Sequence, residues 1–458
     1  MGIMLAIENA DNEFGAENLE VAADQAAIVG EDRAEVAEVA ADIESDVADV
    51  AQADADAAEL DEIGEVAQAA VDSGEGLSEQ AAEVATIAIE RIHNRLGFSG
   101  KQRIIAATES FGHANTRLAS TKLVVESISE TIKSIWEAIK AMAKRIWDKI
   151  SAFFKKIFGS AKSLRDHLEN LKKRAQNIAA DAKEKEKELT GALVKKISVN
   201  KKADMASYKE IVDNSLALAT ISGSIAAESA GVASGVTSLT AGLQSAGVNQ
   251  TNLNSFAHTL DSSYGKIAGL MAQLAKVNAS GVSAKRKKPT TSKTTVKSTV
   301  TYGPFAHGQV IVAENLAKTF SVGGSSVSFN SVSISFETMG EKEFADKAKA
   351  LNKGEIVAVL DLAIKCASEA EDMEKNAKNI QKVIDESQKA ADNVLKATGS
   401  MVEKDGSSNA RVAMNEAREA ISSVFGLVNQ LGQRIPAALI NAGYAGADYA
   451  SASIANYR

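Results

Sequence analysis

Between residues 128 and 158 the large apolar side chains return at alternating steps of three and four: Ile128, Ile132, Ile135 and Trp136, Ile139, Met142 and Ala143, Ile146 and Trp147, Ile150, Phe153 and Phe154, Ile157 and Phe158. That spacing places both tryptophans and most of the bulk on one stripe of a long helix, and the stripe is predicted to be core. The opposite side carries Lys133, Lys140, Lys144, Arg145, Lys149, Lys155 and Lys156. Gly159 is predicted to stop or kink the helix. Leu164, Leu168 and Leu171 then carry a second helix through a Lys/Glu-rich stretch ending near Leu189.

Residues 203–280 read as further helices of smaller side chains, parted by a turn at Gly247-Val248-Asn249-Gln250. Within them Ser215 to Leu243 is uncharged except for Glu228, but Ala, Gly, Ser and Thr dominate it, so close packing of water-soluble helices is favoured over a membrane span. After a basic Thr/Ser-rich passage from Lys285 to Thr301 the period shifts to two. Val310 and Val312, then Val327, Phe329, Val332, Ile334 and Phe336, predict a few strands, with Gly323-Gly324 as a hairpin turn. Helices return near 355–395 and 409–431, followed by a piece dotted with Tyr444, Tyr449 and Tyr457. At the other end, residues 11–90 are rich in Ala, Val, Glu and Asp, with Arg33 the one base. Such a stretch is predicted to form nascent or loose helix that buries little surface.

The fold class that follows is mainly α. Long amphipathic helices form a bundle-like body with a small β insertion at about 300–337, preceded by an acidic, largely disordered or loosely helical N-terminal segment. The chain divides into an acidic leader (1–109), a helical domain with the basic aromatic helix (110–285), a basic linker with the β insertion (286–340) and a C-terminal helical region (341–458). Three prolines in 458 residues fit long helices.

Candidate chemistry is sparse. Cys366 is the one cysteine, which excludes an internal disulfide, and its flanks suit a small buried hydrophobe rather than a catalytic thiol. The five histidines are scattered and form no local zinc pattern, and phosphate-loop, dinucleotide and nucleophile-elbow motifs are absent. The reading is a non-enzyme, with no cofactor or metal implied. The N-terminus has no basic region ahead of an apolar stretch, so synthesis in the cytoplasm is expected.

Charge alters the picture more than any motif does. Residues 1–109 carry 26 acids and 5 bases, a net −21, whereas residues 110–458 carry 34 and 46, a net +12, within a chain whose formal charge is −9. A basic body thus carries an acidic leader able to screen it.

Near the change of sign, Ala107-Thr108-Glu109-Ser110-Phe111-Gly112 leads into Thr116-Arg117-Leu118-Ala119-Ser120-Thr121-Lys122 and Ile135-Trp136-Glu137-Ala138-Ile139-Lys140. Phe153-Phe154-Lys155-Lys156-Ile157-Phe158-Gly159-Ser160-Ala161 and Leu171-Lys172-Lys173-Arg174-Ala175 follow. This series resembles the start of the mature part of internal head proteins from large tailed bacteriophages, convincingly over about residues 105–180. The resemblance implies an acidic propeptide that targets the protein to the assembling prohead. It also implies a prohead protease that cuts after a small residue, any residue, then Glu, and a mature protein kept in the capsid with the DNA, some members entering the host at infection.

On this chain the pattern maps to Ala107, Thr108 and Glu109, with Ser110 as the new N-terminus. It recurs at Ala6-Ile7-Glu8, Gly15-Ala16-Glu17, Ala57-Ala58-Glu59, Ser73-Gly74-Glu75, Ala81-Ala82-Glu83 and Ala88-Ile89-Glu90, and in the body at Ala226-Ala227-Glu228 and Ala367-Ser368-Glu369. Exposure is expected to choose among them, the leader offering an extended, accessible segment. The partners expected are the prohead protease, other head or scaffold proteins, and packaged DNA met through Lys285, Arg286, Lys287 and Lys288 and through Lys140, Lys144, Arg145 and Lys149. The rival reading is a membrane-active or pore-forming helical protein, resting on the basic aromatic helix and the Ser215–Leu243 segment.

Overall fold

A computed structural model of the chain describes residues 16–96, 114–178, 188–246, 249–274, 294–322, 325–404 and 408–457. Two helices, α1 (Ala16–Asp72) and α2 (Glu79–Arg95), precede the aromatic helix α3 (Ala114–Gln176). At 1.5 Å per residue α3 is about 95 Å long and forms the spine of the fold. Gly159 does not stop it. One helical glycine costs about 1 kcal/mol, and the apolar register resumes directly at Ala161, Leu164, Leu168 and Leu171, all buried. Leu189 is not helical: Glu188–Leu189 form a short strand, β1, paired antiparallel with Ala348–Lys349.

Ile135, Trp136, Ile139, Ile150, Phe153, Phe154 and Ile157 are buried, as the stripe requires. Trp147 and Phe158 are only partly buried. Eleven residues apart, they share the flank of the stripe, because a helix advances about 100° per residue.

Among the described residues the acidic segment is helical apart from the turn before α2, and from Ile43 onward it is packed. Ile43, Val50, Ala53, Ala57, Leu60 and Ala67, at steps of three, four and seven, are all buried. This is the spacing of a helix–helix seam, and alanines in it let the backbones approach. The helix α1 runs antiparallel to α3. Asp46 pairs with Lys149 at 2.8 Å at one end, and the Leu77 amide donates to Thr121 Oγ1 at 2.8 Å at the other. Gly74 and Gly76, with φ of +77° and +71°, turn the chain into α2, whose first turn is capped by Ser78. Arg91 and Arg95 then tie α2 back to Glu59 and Asp56 of α1.

The body continues with α4 (Ala192–Ile197), α5 (Met205–Ala246) and α6 (Gln250–Gln273), the last capped by Asn249, whose side chain accepts from the Asn252 amide at 2.9 Å. Three strands, β2 (Thr294–Phe305), β3 (Gln309–Val322) and β4 (Ser325–Thr338), form an antiparallel meander. It begins six residues earlier than the β insertion was read, where Thr294 pairs with Lys318. The β-branched Thr/Val run of the supposed linker favours a strand. Gly323-Gly324 lies outside the described residues, between the paired Val322 and Ser325. One face of the sheet rests on α6 through Phe256 and Phe329, 6.3 Å between centroids.

After β5 (Ala348–Lys349) come α7 (Lys353–Asp372), α8 (Glu374–Lys404), α9 (Ser408–Asn429) and α10 (Ile435–Ala455). The single helix read for 355–395 is thus broken at Met373. A capping box between Asn352 and Glu355 starts α7. One π-helical turn, Gln430–Arg434, joins α9 to α10. Pro436 follows it and lacks the amide an unbroken ladder would need. The C-terminal half of α3 is held by α7 through Arg165–Glu371 and Lys172–Asp361.

Candidate functional site

The four cations of α3 singled out from sequence do not share one environment. Lys144 and Arg145 are exposed. Lys140 is paired with Asp392 of α8, and Lys149 with Asp46 of α1. Lys133 and Lys155 add to the exposed basic side. Lys285, Arg286, Lys287 and Lys288 lie outside the described residues, as do Ala107, Thr108, Glu109 and Ser110.

A second group of charges, invisible as a motif, gathers where α1, α3, α9 and the β3–β4 hairpin meet. These elements line a cavity of about 460 Å³, open on one side, with Asp54 and Asp61 of α1, Trp136 of α3, Lys318 of β3, and Arg418 and Glu419 of α9 among its walls. Arg418, 5% exposed, donates to Asp61 at 2.7 Å and lies over the Trp136 ring, 5.8 Å from its centre. Lys318 pairs with Glu419. The remaining Arg418 donors Nε and Nη1, the Trp136 Nε1 and the Ser331 hydroxyl are buried and have no hydrogen-bond partner among the described residues. Burial pushes the Asp54 carboxyl up to about 6, and repulsion from Glu419 adds to this. The nearby Ser422 hydroxyl and the charges of Arg418 and Lys318 act against it. The cluster therefore ties the acidic helix to the body through buried charge, and its Asp54 takes up a proton at mildly acidic pH.

Exposure sorts the small-x-Glu triplets differently from the sequence reading. Within the leader, Ala57-Ala58-Glu59 belongs to α1, and Ala81-Ala82-Glu83 and Ala88-Ile89-Glu90 to α2. In the body, Ala226-Ala227-Glu228 lies in α5, Ala367-Ser368-Glu369 in α7 and Ala417-Arg418-Glu419 in α9, and Ser335-Phe336-Glu337 is part-buried in β4. Among the described residues, only Ser73-Gly74-Glu75 is both outside a helix and exposed, in the turn between α1 and α2. Gly15 and the Ala6-Ile7-Glu8 triplet lie outside the described residues.

Cys366 is buried in α7, its thiol pushed up to about 12 chiefly by that burial, which suits packing rather than nucleophilic attack. Among the described residues no group of three or more His, Cys, Asp or Glu is placed to hold a metal ion. The helix α5, charged only at Lys209, Glu210, Asp213 and Glu228, is long and apolar enough to cross a membrane. In this fold its Gly231 and Gly235 instead meet Ser263 and Thr259 of α6, closely enough that a Cβ at either would clash.

One sequence signal does point to the buried cluster. Along α9 the buried positions Met414, Ala417, Ile421, Val424 and Val428 keep the helical period, and Arg418 falls on the same side, a guanidinium within an apolar stripe. Its partner Asp61 lies 357 residues away, so no local pattern names it.

Compared with known families, residues 38–452 match the family described as phiKZ-like phage internal head proteins. No curated protein and no solved structure matches the chain.

Proposed function

The chain belongs to the phiKZ-like phage internal head proteins, a virion protein of the capsid interior, and from that premise we propose that it is made with an acidic leader which the prohead protease cuts after Glu109 during head maturation. The observation that carries this reading is the change of sign from −21 to +12 at a small-x-Glu triplet. Before the cut, the leader opposes contact with nucleic acid and engages basic head or scaffold surfaces. Afterwards the body sits among packaged phosphates by non-specific, salt-dependent attraction, through Lys144, Arg145 and the Lys285–Lys288 run, and is available for delivery into the host. A net +12 spread over 349 residues is too dilute for bulk condensation of DNA.

Peptide mapping of purified mature heads tests the processing. The expected N-terminus is Ser110-Phe111-Gly112, and intact chain in mature heads overturns the reading. The screening role has its own test: leaderless protein recovered from heads should bind duplex DNA more tightly than the full chain, with affinity falling steeply as salt rises. Equal affinity at every salt concentration refutes it.

A further inference from the structure

We infer that the α1–α2 hairpin binds the body as a ligand in its own right, so that a cut between residues 96 and 114 leaves a two-chain complex and not a freed leader. The inference goes beyond the processing reading and does not depend on the native protease acting there.

The seam is long. From Asp46 beside Lys149 to Leu77 beside Thr121, α1 and the start of the turn follow α3 for about 30 residues, on the order of 45 Å. Along it Ile43, Val50 and Leu60 of α1, and Ile89 and Ile92 of α2, are 4% exposed or less. A departing hairpin would return all of these to water, which opposes departure in proportion to the apolar area exposed. Specific polar contacts fix the register. Asp61 meets Arg418, Asp46 meets Lys149, and His93 meets Thr131 at 3.0 Å inside the core.

Arg418 ties the two pieces by charge. It comes from the body, is 5% exposed with the hairpin in place and finds its carboxylate partner on the leader, so losing the hairpin would break a pair held out of water only while the two pieces are together. None of these contacts uses the covalent link between residues 96 and 114. The family match beginning at residue 38 likewise takes in α1 from there on, together with the body. Cutting and unmasking are then separate events, and the second needs its own cause, such as further cuts within the hairpin.

The test uses the full chain carrying an inserted recognition sequence for a site-specific protease after Glu109, cut to completion after folding. Gel filtration with light scattering at physiological salt should show both polypeptides in one peak of the uncut mass. A leader fragment eluting by itself overturns the inference. In the cut protein, Asp61→Asn should raise the dissociation constant of the two pieces at least tenfold, and Asp46→Asn, the gentler variant at the more exposed pair, about threefold. Glu83→Gln, on the exposed side of α2, should leave it unchanged. If Asp61→Asn does not fold, Asp46→Asn decides, and no weakening relative to Glu83→Gln removes the charge pairs from the account.

Discussion

Asp54→Asn should stabilise this protein, and only above mildly acidic pH. In the folded chain the Asp54 carboxyl titrates at about 6 against an ordinary value of 3.8, because it is packed under protein beside Glu419. The sign follows from linkage. A carboxyl whose folded value is raised holds its proton more tightly when folded, so its favourable contribution is complete below 3.8, is lost as pH rises to about 6, and is gone above that. At 1.36 kcal/mol per tenfold change in proton affinity, that separation is worth at most about 3 kcal/mol. Partial solvent contact at Asp54 reduces it to about 1–3 kcal/mol. Asparagine keeps the shape and removes the ionisation. Thermal unfolding of the two full-length proteins at pH 4, 5, 6 and 7.5 should show the gain of the variant small at pH 4, rising through pH 5 and 6, and flat beyond. Comparing variant with wild type at each pH cancels the other carboxylates. A gain that is constant or shrinks with pH would show that Asp54 is not held protonated against the body.

Trp136→Ala should cost about 3–5 kcal/mol, whereas Trp147→Ala, at the partly buried flank, should cost roughly half as much. Equal costs in urea unfolding would mean that the stripe is not centred where the structure puts it. Gly446→Ala would push a Cβ into the Tyr208 hydroxyl, which donates to the Ala442 carbonyl at 3.0 Å. A loss of about 1–3 kcal/mol is expected, and an unchanged melting temperature would contradict that packing. Cys366, buried with its thiol at about 12, should resist a thiol reagent at pH 8 in the native chain and react fully in denaturant. Rapid native labelling would place it at the surface.

The spine of the fold was legible because it depends on a single period. Ile128 to Ile157 repeat so regularly that helix, buried side and basic side all follow from spacing. Composition carries less than spacing does. The leader's charge and small side chains point to an acidic, disordered or loosely helical segment, and its described part is helical, but its packing is written in Ile43, Val50, Ala53, Ala57, Leu60 and Ala67, a helix-seam spacing that does not depend on side-chain size. Gly159 was weighed as a residue type, although the apolar register passes straight through it. The ionic cluster was beyond reach for a different reason. Asp54, Asp61, Lys318, Arg418 and Glu419 come from three distant stretches, and only the folded chain brings them to one cavity. Arg418 in an apolar stripe announces that some carboxylate must meet it, but not which one.

That packing alters how the leader's charge should be understood. A tethered polyanion acts at a distance and is screened within about 8–10 Å at physiological salt. A carboxylate held against a buried guanidinium is screened much less. Asp61 on Arg418 belongs to the second kind and Asp46 on the part-exposed Lys149 lies between the two, while Lys133, Lys144, Arg145 and Lys155 are exposed. The leader therefore has two electrostatic tasks, with different responses to salt. Its long-range repulsion of phosphates fades as ionic strength rises, but its hold on the body does not. Raising salt should weaken DNA binding by the leaderless body without prising the leader from the intact chain, so processing rather than ionic conditions would have to separate the two.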